Sequence, residues 1–339
     1  MPLSSTRAVR LTRYPQGTPE SGDFEIVDMP LAPLAEGEVL VQNSWMTVDP
    51  YMRSRMRPGK SYVDAFEVGG LLDGEAIGQV IESRSSDFTV GDQVRSHLGW
   101  RDAFISDGEG LHKLPDIDVP PQSFLGVMGM PGFTAYVGLL EIGRPKAGET
   151  VFVSSASGAV GSLVCQIAKL KGCTVVGTAG SDEKVKWLLE ELGIDHAINY
   201  KTAGSLSRAL RAECPQGIDV YFDNVGGDHL TAALNLMNNF GRIAICGMIS
   251  LYNATQPIPG PPNLTNIIIR RLQVQGFIIM DHNDLLPAFM KDMKAWMSED
   301  RIKWKETILD GLENAPQAFL KLFSGESTGK MLVRLSPPD

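Results

Sequence analysis

The chain has 339 residues, of which 43% are hydrophobic and 21% are charged, and its net charge is -9 at pH 7. This hydrophobic content excludes a largely disordered protein. It is enough for one large core, and the length favours two cores in two domains. The acidic balance argues against nucleic acid or an anionic membrane as the main partner, because both bind clustered positive charge.

The first ten residues lack the apolar segment of a secretory signal, and no run reaches transmembrane length. We therefore expect a soluble, cytoplasmic protein that has no membrane partner. The four cysteines have no C-x-x-C spacing, which predicts reduced, buried thiols rather than disulfides or a zinc knuckle. The five histidines show no ligand spacing either, and we expect surface or capping roles for them.

Up to about residue 120, the sequence predicts an irregular, mostly β region. Short apolar runs, such as residues 39–43 and 74–83, are separated by turns rich in Gly, Pro and Asp, and helical patterns are sparse. From about residue 124, apolar strands alternate with helical segments, which is typical of βαβ units around a parallel sheet. The strands predicted there are residues 151–153, 173–179, 197–200, 220–223, 242–246 and 275–279.

Three further segments follow from local patterns. Residues 252–262 are rich in proline and predict a long surface loop, which would suit a substrate lid. Residues 285–297 predict an amphipathic helix, and residues 330–335 predict a strand that returns to the first domain.

A glycine-bearing turn joins the strand at 151–153 to a helix-prone stretch. The run from Ala156 through Gly158 to Gly161 varies the G-x-G-x-x-G fingerprint, with alanine at its first position. Such a turn lets the backbone approach a pyrophosphate at a helix N-terminus, although glycines also occur in such turns for steric reasons alone. Because a βαβ pattern surrounds the turn, it predicts a dinucleotide site.

The end of the next predicted strand indicates which dinucleotide is bound. Enzymes that select NAD place an acid there, about 20 residues after the glycines, to accept the ribose hydroxyls. This chain has Gly180 and Ser181 instead, and Lys184 follows one turn into the next helix. An ammonium there could reach a 2′-phosphate, which favours NADP. The alternative is that Ser181 and Asp182 only cap the helix and that Lys184 is a solvated surface lysine.

Along nearly its whole length the sequence resembles the medium-chain dehydrogenase/reductases. The matching pieces are residues 48–53, 129–136, 155–161, 223–227 and 329–330. Within that superfamily it is similar to the zinc-independent branch of prostaglandin reductases (leukotriene hydroxydehydrogenases), plant alkenal double bond reductases and bacterial curcumin reductases. The resemblance implies an α/β fold with a Rossmann doubly wound parallel sheet at 126–304. It also implies an irregular, mostly-β GroES-like catalytic domain at 1–125, completed by 305–339.

Zinc-dependent relatives carry a Cys-His-type ligand near the end of an early strand and a Gly-His-Glu further on. Here those places hold residues 47–49 and 73–75, with Gly74 in the slot of the histidine, and no cysteine precedes Cys165. We therefore expect no metal. Alcohol oxidation needs a group that stabilises an alkoxide, as zinc does. Reduction of an activated C=C bond needs only donors that hold an enolate.

The resemblance also assigns roles to individual residues. It implies that Gly158, Ala159, Val160 and Gly161 cradle the diphosphate, and that Lys184 and Tyr200 bind the 2′-phosphate. The residues implied to lie along the nicotinamide half are Asn224, Cys246, Gly247, Met248, Ile249, Ser250, Tyr252, Phe277, Ile278 and Ser327.

For the substrate, Tyr51 is the first candidate donor to an enone carbonyl and Tyr252 the second, and either could instead be a core or rim tyrosine. Arg53 could attract an anionic substrate or pair with an acid. Two positions depart from the family pattern, since Ile269 stands where lipid-active members often have tyrosine, and Ser327 where others have asparagine.

The resulting prediction is an NADPH-dependent reductase of α,β-unsaturated aldehydes or ketones that transfers hydride to the β-carbon without zinc. The alternatives are an NADPH quinone reductase and an NADPH-binding protein without turnover. The expected partners are a small enone or quinone substrate and, by resemblance, a second copy of the chain in a homodimer.

Overall fold

A computed structural model describes residues 3–335 of the chain. The chain divides into two compact units. The first contains the chain up to Leu125, together with Glu306–Ser327 and the residues from Met331 onward. The second contains Gly126–Lys305 and the short segment Thr328–Lys330.

Strands β1 to β15 are, in chain order, Ser5–Leu11, Phe24–Pro30, Val39–Thr47, Ala76–Ser83, Gln93–Ser96, Ala103–Ser106, His112–Lys113, Thr150–Val153, Thr174–Ala179, His196–Asn199, Ile218–Asp223, Met237–Ile245, Gln273–Gly276, Glu306–Asp310 and Lys330–Arg334. Helices α1 to α9 are Met52–Arg55, Met130–Tyr136, Ala159–Leu170, Asp182–Glu190, Leu206–Glu213, Gly227–Leu234, Thr265–Ile269, Leu286–Ser298 and Ala315–Ser324. A π-helical stretch, Val137–Gly143, continues directly from α2.

The first unit is mostly β, as its turn-rich sequence predicts. Its larger sheet has the order β14-β15-β3-β4-β5-β7, with β6 also paired to β3, and β1 and β2 form a separate antiparallel pair. The predicted terminal strand is β15, which runs antiparallel to β3. Trp100 is fully buried and contacts the rings of Phe24 and Phe319, so α9 covers the core of this unit.

The second unit is a parallel six-stranded sheet with the order β10-β9-β8-β11-β12-β13. The chain starts at β8, moves outward to β10 on one side, and then returns to build β11 to β13 on the other. This is the strand order of the Rossmann fold, with its topological switch point between β8 and β11. The doubly wound sheet and the mostly-β unit confirm the predicted fold class.

The last parallel strand begins and ends earlier than the sequence predicts. The predicted strand is residues 275–279, but β13 ends at Gly276, and Phe277 and Ile278 follow it. Pairing stops there because Gly276 lies opposite Ile245, the last residue of β12. The predicted amphipathic helix is present as α8, and residues 252–262 contain no helix or strand, as their prolines predict. Among residues 3–335, no helix combines the length and apolar character needed to cross a membrane.

Candidate functional site

The turn between β8 and α3 has the form that an anion site requires. Ser155 adopts a left-handed conformation with φ of 51°, and the Gly158 N–H donates to its carbonyl over 3.0 Å. Gly158 is the N-cap of α3, and the first intrahelical bond is that of Ser162 to Gly158. The N–H groups of the first helical residues, Ala159 to Gly161, therefore point out of the N-terminus without intrahelical partners.

Gly161 permits the close contact between this turn and the helix. A Cβ atom at Gly161 would lie 2.3 Å from the carbonyl oxygen of Ser155 and 2.9 Å from the Cα of Ala156. Both neighbours are backbone atoms, so no side-chain rotation could make room. The glycine at the third position of the fingerprint is therefore a steric requirement of this fold.

Alanine is tolerated at the first position because a neighbouring strand makes room for it. Ala156 is fully buried, and its N–H donates to the Thr178 carbonyl over 2.8 Å. On the same strand, β9, a Cβ atom at Gly177 would lie only 2.7 Å from the Cβ of Ala156. The fingerprint normally has its first glycine in the turn. Here alanine takes that position, and the glycine that makes room for it is Gly177 on the adjacent strand.

The carboxyl ends of β8 and β11 are tied together at the switch point. Ser154 follows β8, and its Oγ accepts a hydrogen bond from the Asn224 N–H over 2.9 Å. The Asn224 amide donates back to the Ser154 carbonyl over 2.8 Å. In open parallel sheets ligands bind at this position. Asn224 therefore lies at the switch point, and its contact with the nicotinamide stays a prediction.

Asp223 fixes the turn that follows β11. The residue is fully buried, and its Oδ1 accepts from the Tyr221 hydroxyl (2.6 Å), the Ser154 hydroxyl (3.1 Å) and the N–H groups of Val225 (2.9 Å) and Gly226 (2.8 Å). Burial raises the pKa of Asp223, and these hydrogen bonds oppose that rise. Sequence reasoning missed Ser154 and Tyr221; a polar residue directly after a switch-point strand was the available signal for Ser154.

The segment after β12 packs on the same turn. The Ser250 hydroxyl donates to the Val225 carbonyl over 2.6 Å, and the Ile249 N–H donates to the Asn224 carbonyl over 3.3 Å. The Tyr252 hydroxyl accepts from the Met248 N–H over 3.4 Å. Of the predicted nicotinamide residues, those between 246 and 252 are thus held beside Asn224.

Lys184 and Tyr200 lie near the end of β9, as their predicted shared role requires. The Ser181 hydroxyl accepts from the Lys184 N–H over 3.3 Å, so Ser181 is the N-cap of α4. The Lys184 side chain is buried rather than solvated, which contradicts its alternative interpretation as a surface lysine. Burial, and secondly the charge of Lys201, lower the pKa of Lys184. Two ammonium groups this close repel each other, an arrangement that suits an anionic ligand.

Gly180 lies against the side chains of Tyr200 and Lys201. A Cβ atom there would lie 3.2 Å from the Tyr200 hydroxyl and 3.3 Å from the Lys201 Cε. The missing side chain therefore lets both groups approach the end of the strand closely. Lys201 was not singled out in the sequence, although it directly follows Tyr200.

His229 corrects the expectation that the histidines lie on the surface or cap helices. It is 5% exposed and packs edge-on against the Tyr200 ring, with 5.1 Å between ring centroids. Burial lowers its pKa to about 4, so the ring is neutral near pH 7 and supports Tyr200 as an uncharged surface. No spacing rule in the sequence indicated this contact.

Phe277 occupies a space left by Gly138. A Cβ atom at Gly138 would lie 2.4 Å from the Phe277 ring, which also contacts Phe222 edge-on at 6.3 Å between centroids. Ile278 follows directly and is half-buried. Both residues stand just after β13 rather than within it.

The C-terminal Gly-Lys pair reaches the glycine turn. The Gly329 N–H donates to the Ser157 carbonyl over 2.8 Å, and Gly329 forms a bridge to Gly158. Its φ of 67°, and a hypothetical Cβ only 1.9 Å from the Lys305 carbonyl, require glycine here. Ser327 precedes this segment by two positions in the chain.

In the first unit, Tyr51 precedes α1 and is partly buried against the core. Burial and the charge of Asp49 raise the pKa of the Tyr51 phenol far above its usual range, so it is a proton-bearing donor at neutral pH. Arg53 is buried, and its Nη2 donates to the backbone carbonyls of Pro15 (3.2 Å) and Gly17 (2.8 Å).

The two places that hold zinc ligands in other members do not fit a metal. The Thr47 hydroxyl donates to the Asp49 carboxylate over 2.8 Å. Gly74 has no side chain to offer a metal, and the Met52 Cε, which would lie 2.5 Å from a Cβ atom there, fills the space beside it. Within the described part of the chain, no three His, Cys, Asp or Glu side chains cluster as metal ligands.

The chain is similar to known oxidoreductases along nearly its whole length. Residues 7–114 match the family described as "N-terminal domain of oxidoreductase", and residues 159–295 match "Zinc-binding dehydrogenase". The chain is 46% identical to the putative NADP-dependent oxidoreductase YfmJ of Bacillus subtilis (strain 168), over 99% of both chains. It is 44% identical to the 2-alkenal reductase (NADP(+)-dependent) of Nicotiana tabacum, over 98% of both.

A solved structure shows the same likeness. The crystal structure of CurA from Vibrio vulnificus in complex with NADPH superposes with a TM-score of 0.93 at 43% identity, covering 98% of this chain and 100% of that one. NADP is therefore the cofactor of this enzyme, as Lys184 and the glycine turn predict. The chain belongs to the medium-chain dehydrogenase/reductases, in the branch of NADP-dependent oxidoreductases that includes the 2-alkenal reductases.

Proposed function

We propose that the protein reduces the carbon–carbon double bond of α,β-unsaturated aldehydes or ketones with NADPH, by hydride transfer to the β-carbon. The observation that carries this proposal is the likeness, over nearly both full lengths, to a 2-alkenal reductase. The two places that fit no zinc ligand support it, because this reaction needs a donor to an enolate oxygen rather than a metal on an alkoxide.

Bound NADPH supplies the hydride. In this proposal the N–H groups of Ala159, Val160 and Gly161 hold the diphosphate at the start of α3. Lys184 and Tyr200 hold the 2′-phosphate, which an NADH molecule lacks. The residues proposed to line the nicotinamide half, and thereby to exclude water from it, are Asn224, Cys246 to Ser250, Tyr252, Phe277, Ile278 and Ser327.

The Tyr51 phenol is the proposed donor to the substrate carbonyl. As hydride adds to the β-carbon, negative charge moves to the carbonyl oxygen, and a donor that stays protonated stabilises that charge. The raised pKa of Tyr51 keeps the proton in place across the neutral range. Tyr252 is the second candidate, and in this scheme solvent supplies the proton that the α-carbon takes up.

A substrate panel tests the proposal directly. We expect purified protein to oxidise NADPH rapidly with 2-alkenals and conjugated ketones, more slowly with simple quinones, and poorly with NADH in either case. NADPH oxidation would be followed by absorbance, and the saturated carbonyl product by mass spectrometry. Faster turnover with quinones would establish the quinone reductase alternative. NADPH binding without turnover of either class would establish a non-catalytic binding protein.

Replacing Tyr51 with phenylalanine is expected to lower kcat for a 2-alkenal by about 100-fold, the usual effect of losing one donor to a developing oxyanion. The Kd for NADPH, measured by fluorescence, should not change. Tyr136→Phe is the matched control, since it also removes a phenol, one that donates to Asp292 over 2.8 Å. Equal kcat in Tyr51→Phe and wild type would remove Tyr51 from the mechanism.

The expected homodimer has a suitable edge in the second unit. Strand β13 lies at the end of the strand order with all four residues exposed, and Ile268 and Ile269 beside it are 78% and 63% exposed. Unpaired edges next to apolar side chains favour pairing with another chain. Light scattering should give about twice the 36.9 kDa chain mass, and about one chain mass for the Ile268→Glu, Ile269→Glu variant.

Val90→Glu is the control for this experiment, because Val90 is a 65% exposed apolar residue in the other unit. A wild-type mass of one chain would contradict the dimer. The predicted domain limits, 1–125 with 305–339 and 126–304, and the cytoplasmic location remain predictions.

A further inference from the structure

Lys201 lies in the turn after β10, beside the end of β9. A Cβ atom at Gly180, which directly follows β9, would lie 3.3 Å from the Lys201 Cε and 3.2 Å from the Tyr200 hydroxyl. The Tyr200 N–H donates to the Ala179 carbonyl over 3.1 Å, so the two strands remain joined up to this point. The lysine stem and the phenol therefore both lie against the backbone of Gly180, and Lys201 and Tyr200 are both exposed residues.

The same turn is tied to the start of the helix that carries Lys184. The Lys201 N–H donates to the Asn199 Oδ1 over 3.1 Å, and the Asn199 Nδ2 donates to the Asp182 Oδ1 over 2.7 Å. Asp182 is the first residue of α4, and Lys184 stands two positions after it. One oxygen of Asp182 is thus bound by an amide, and Asn199 connects the segment of Lys201 to the helix start of Lys184.

The charge of a 2′-phosphate exceeds that of one lysine. Gly180 stands at the strand end where NAD-selecting enzymes carry an acid that binds the ribose hydroxyls, and a 2′-phosphate belongs at the same place. A phosphate monoester carries a charge of about −1.5 to −2 near pH 7, whereas Lys184 supplies a single positive charge. A second ammonium at this strand end would balance most of the remaining charge.

We infer that Lys201 is a further binding residue for the 2′-phosphate of NADPH and that it selects this cofactor together with Lys184 and Tyr200. Lys201 approaches the phosphate from the turn after β10, and Lys184 approaches it from the first turn of α4. This inference rests on the proposed function, in which Lys184 and Tyr200 hold the 2′-phosphate.

Cofactor binding without turnover tests the inference. Lys201→Gln is expected to raise the Kd for NADPH about 10-fold, the effect of losing one charge-assisted contact, and to leave the Kd for NADH nearly unchanged. Both would be measured by fluorescence titration. Calorimetry with adenosine 2′,5′-bisphosphate should show the same loss, because this fragment carries the 2′-phosphate without the nicotinamide. Lys201→Arg keeps the charge and should retain most of the affinity.

Salt gives a second readout that a merely structural role would not change. Added salt screens exposed charge pairs. Raising the ionic strength should therefore weaken NADPH binding more in the wild type than in Lys201→Gln. An equal dependence on salt in both proteins, or an equal loss of NADH and NADPH affinity in Lys201→Gln, would overturn the inference.

Lys186→Gln is the matched control. Lys186 is an exposed lysine of α4 that pairs with Glu190 at 3.7 Å, so its loss removes the same charge from the same unit. We expect it to change the Kd for NADPH by no more than about 2-fold, the usual scale for an exposed charge. Thermal melting would show that every variant is folded.

The inference and the proposed function fail in different ways. If Lys184→Ala lost its preference for NADPH while Lys201→Gln bound both cofactors like Lys186→Gln, the inference would be overturned and the proposed 2′-phosphate site would stand. If neither Lys184→Ala nor Lys201→Gln changed the preference, the proposed 2′-phosphate site would be wrong, and the inference with it.

Discussion

Replacing Gly161 with alanine is expected to raise the Kd for NADPH by more than about 100-fold and to lower the melting temperature. The added methyl group would lie 2.3 Å from the Ser155 carbonyl oxygen, so the turn that cradles the diphosphate must move. Alanine improves helix propensity over glycine by about 1 kcal/mol, whereas overpacking against fixed atoms costs about 1–3 kcal/mol or more. The steric cost therefore exceeds the gain in helix propensity, and the substitution is expected to destabilise the protein.

The control is Gly22→Ala, because a Cβ atom at Gly22 meets nothing within 4 Å. Titration of NADPH against intrinsic fluorescence and thermal melting would be measured for both variants. We expect Gly22→Ala to behave as wild type. Wild-type affinity in Gly161→Ala would show that the turn does not contact the diphosphate.

Replacing Lys184 with alanine is expected to raise the KM for NADPH by about 10- to 100-fold and to leave the KM for NADH nearly unchanged. A charge-assisted hydrogen bond to a phosphate contributes about 1.5–3 kcal/mol, and only NADPH carries the 2′-phosphate. The preference for NADPH over NADH should fall by the same factor. Initial rates with one saturating 2-alkenal and varied cofactor would measure it.

Lys186→Ala is the matched control on the same helix. Lys186 is exposed and pairs with Glu190 at 3.7 Å, so its loss removes an equal charge without touching the predicted site. We expect Lys186→Ala to lower the affinity for NADPH only slightly, because it changes only the overall charge of the protein surface. If Lys184→Ala weakened NADH and NADPH equally, Lys184 would support the fold of α4 rather than select the cofactor.

Much of the second unit follows from local sequence. The β-branched strand runs, the glycine turn and the absence of an acid at Gly180 each depend on neighbours in the chain, and all three agree with the structure. The limits of β13 do not follow in this way, because pairing with β12 ends the strand at Gly276. The alternation of apolar and polar residues along one strand does not indicate where its partner strand ends.

The sequence by itself determined the fold class and the cofactor, because short motifs encode tight turns, helix starts and charge; the residues of the NADP site and the candidate phenol stay predictions. Only the tertiary structure placed His229 against Tyr200, Ser154 against Asn224, and Gly329 on the glycine turn. These contacts join residues up to 172 positions apart in the chain, as for Ser157 and Gly329. Packing between distant segments decides them, and no local pattern in a single chain records which segments will meet.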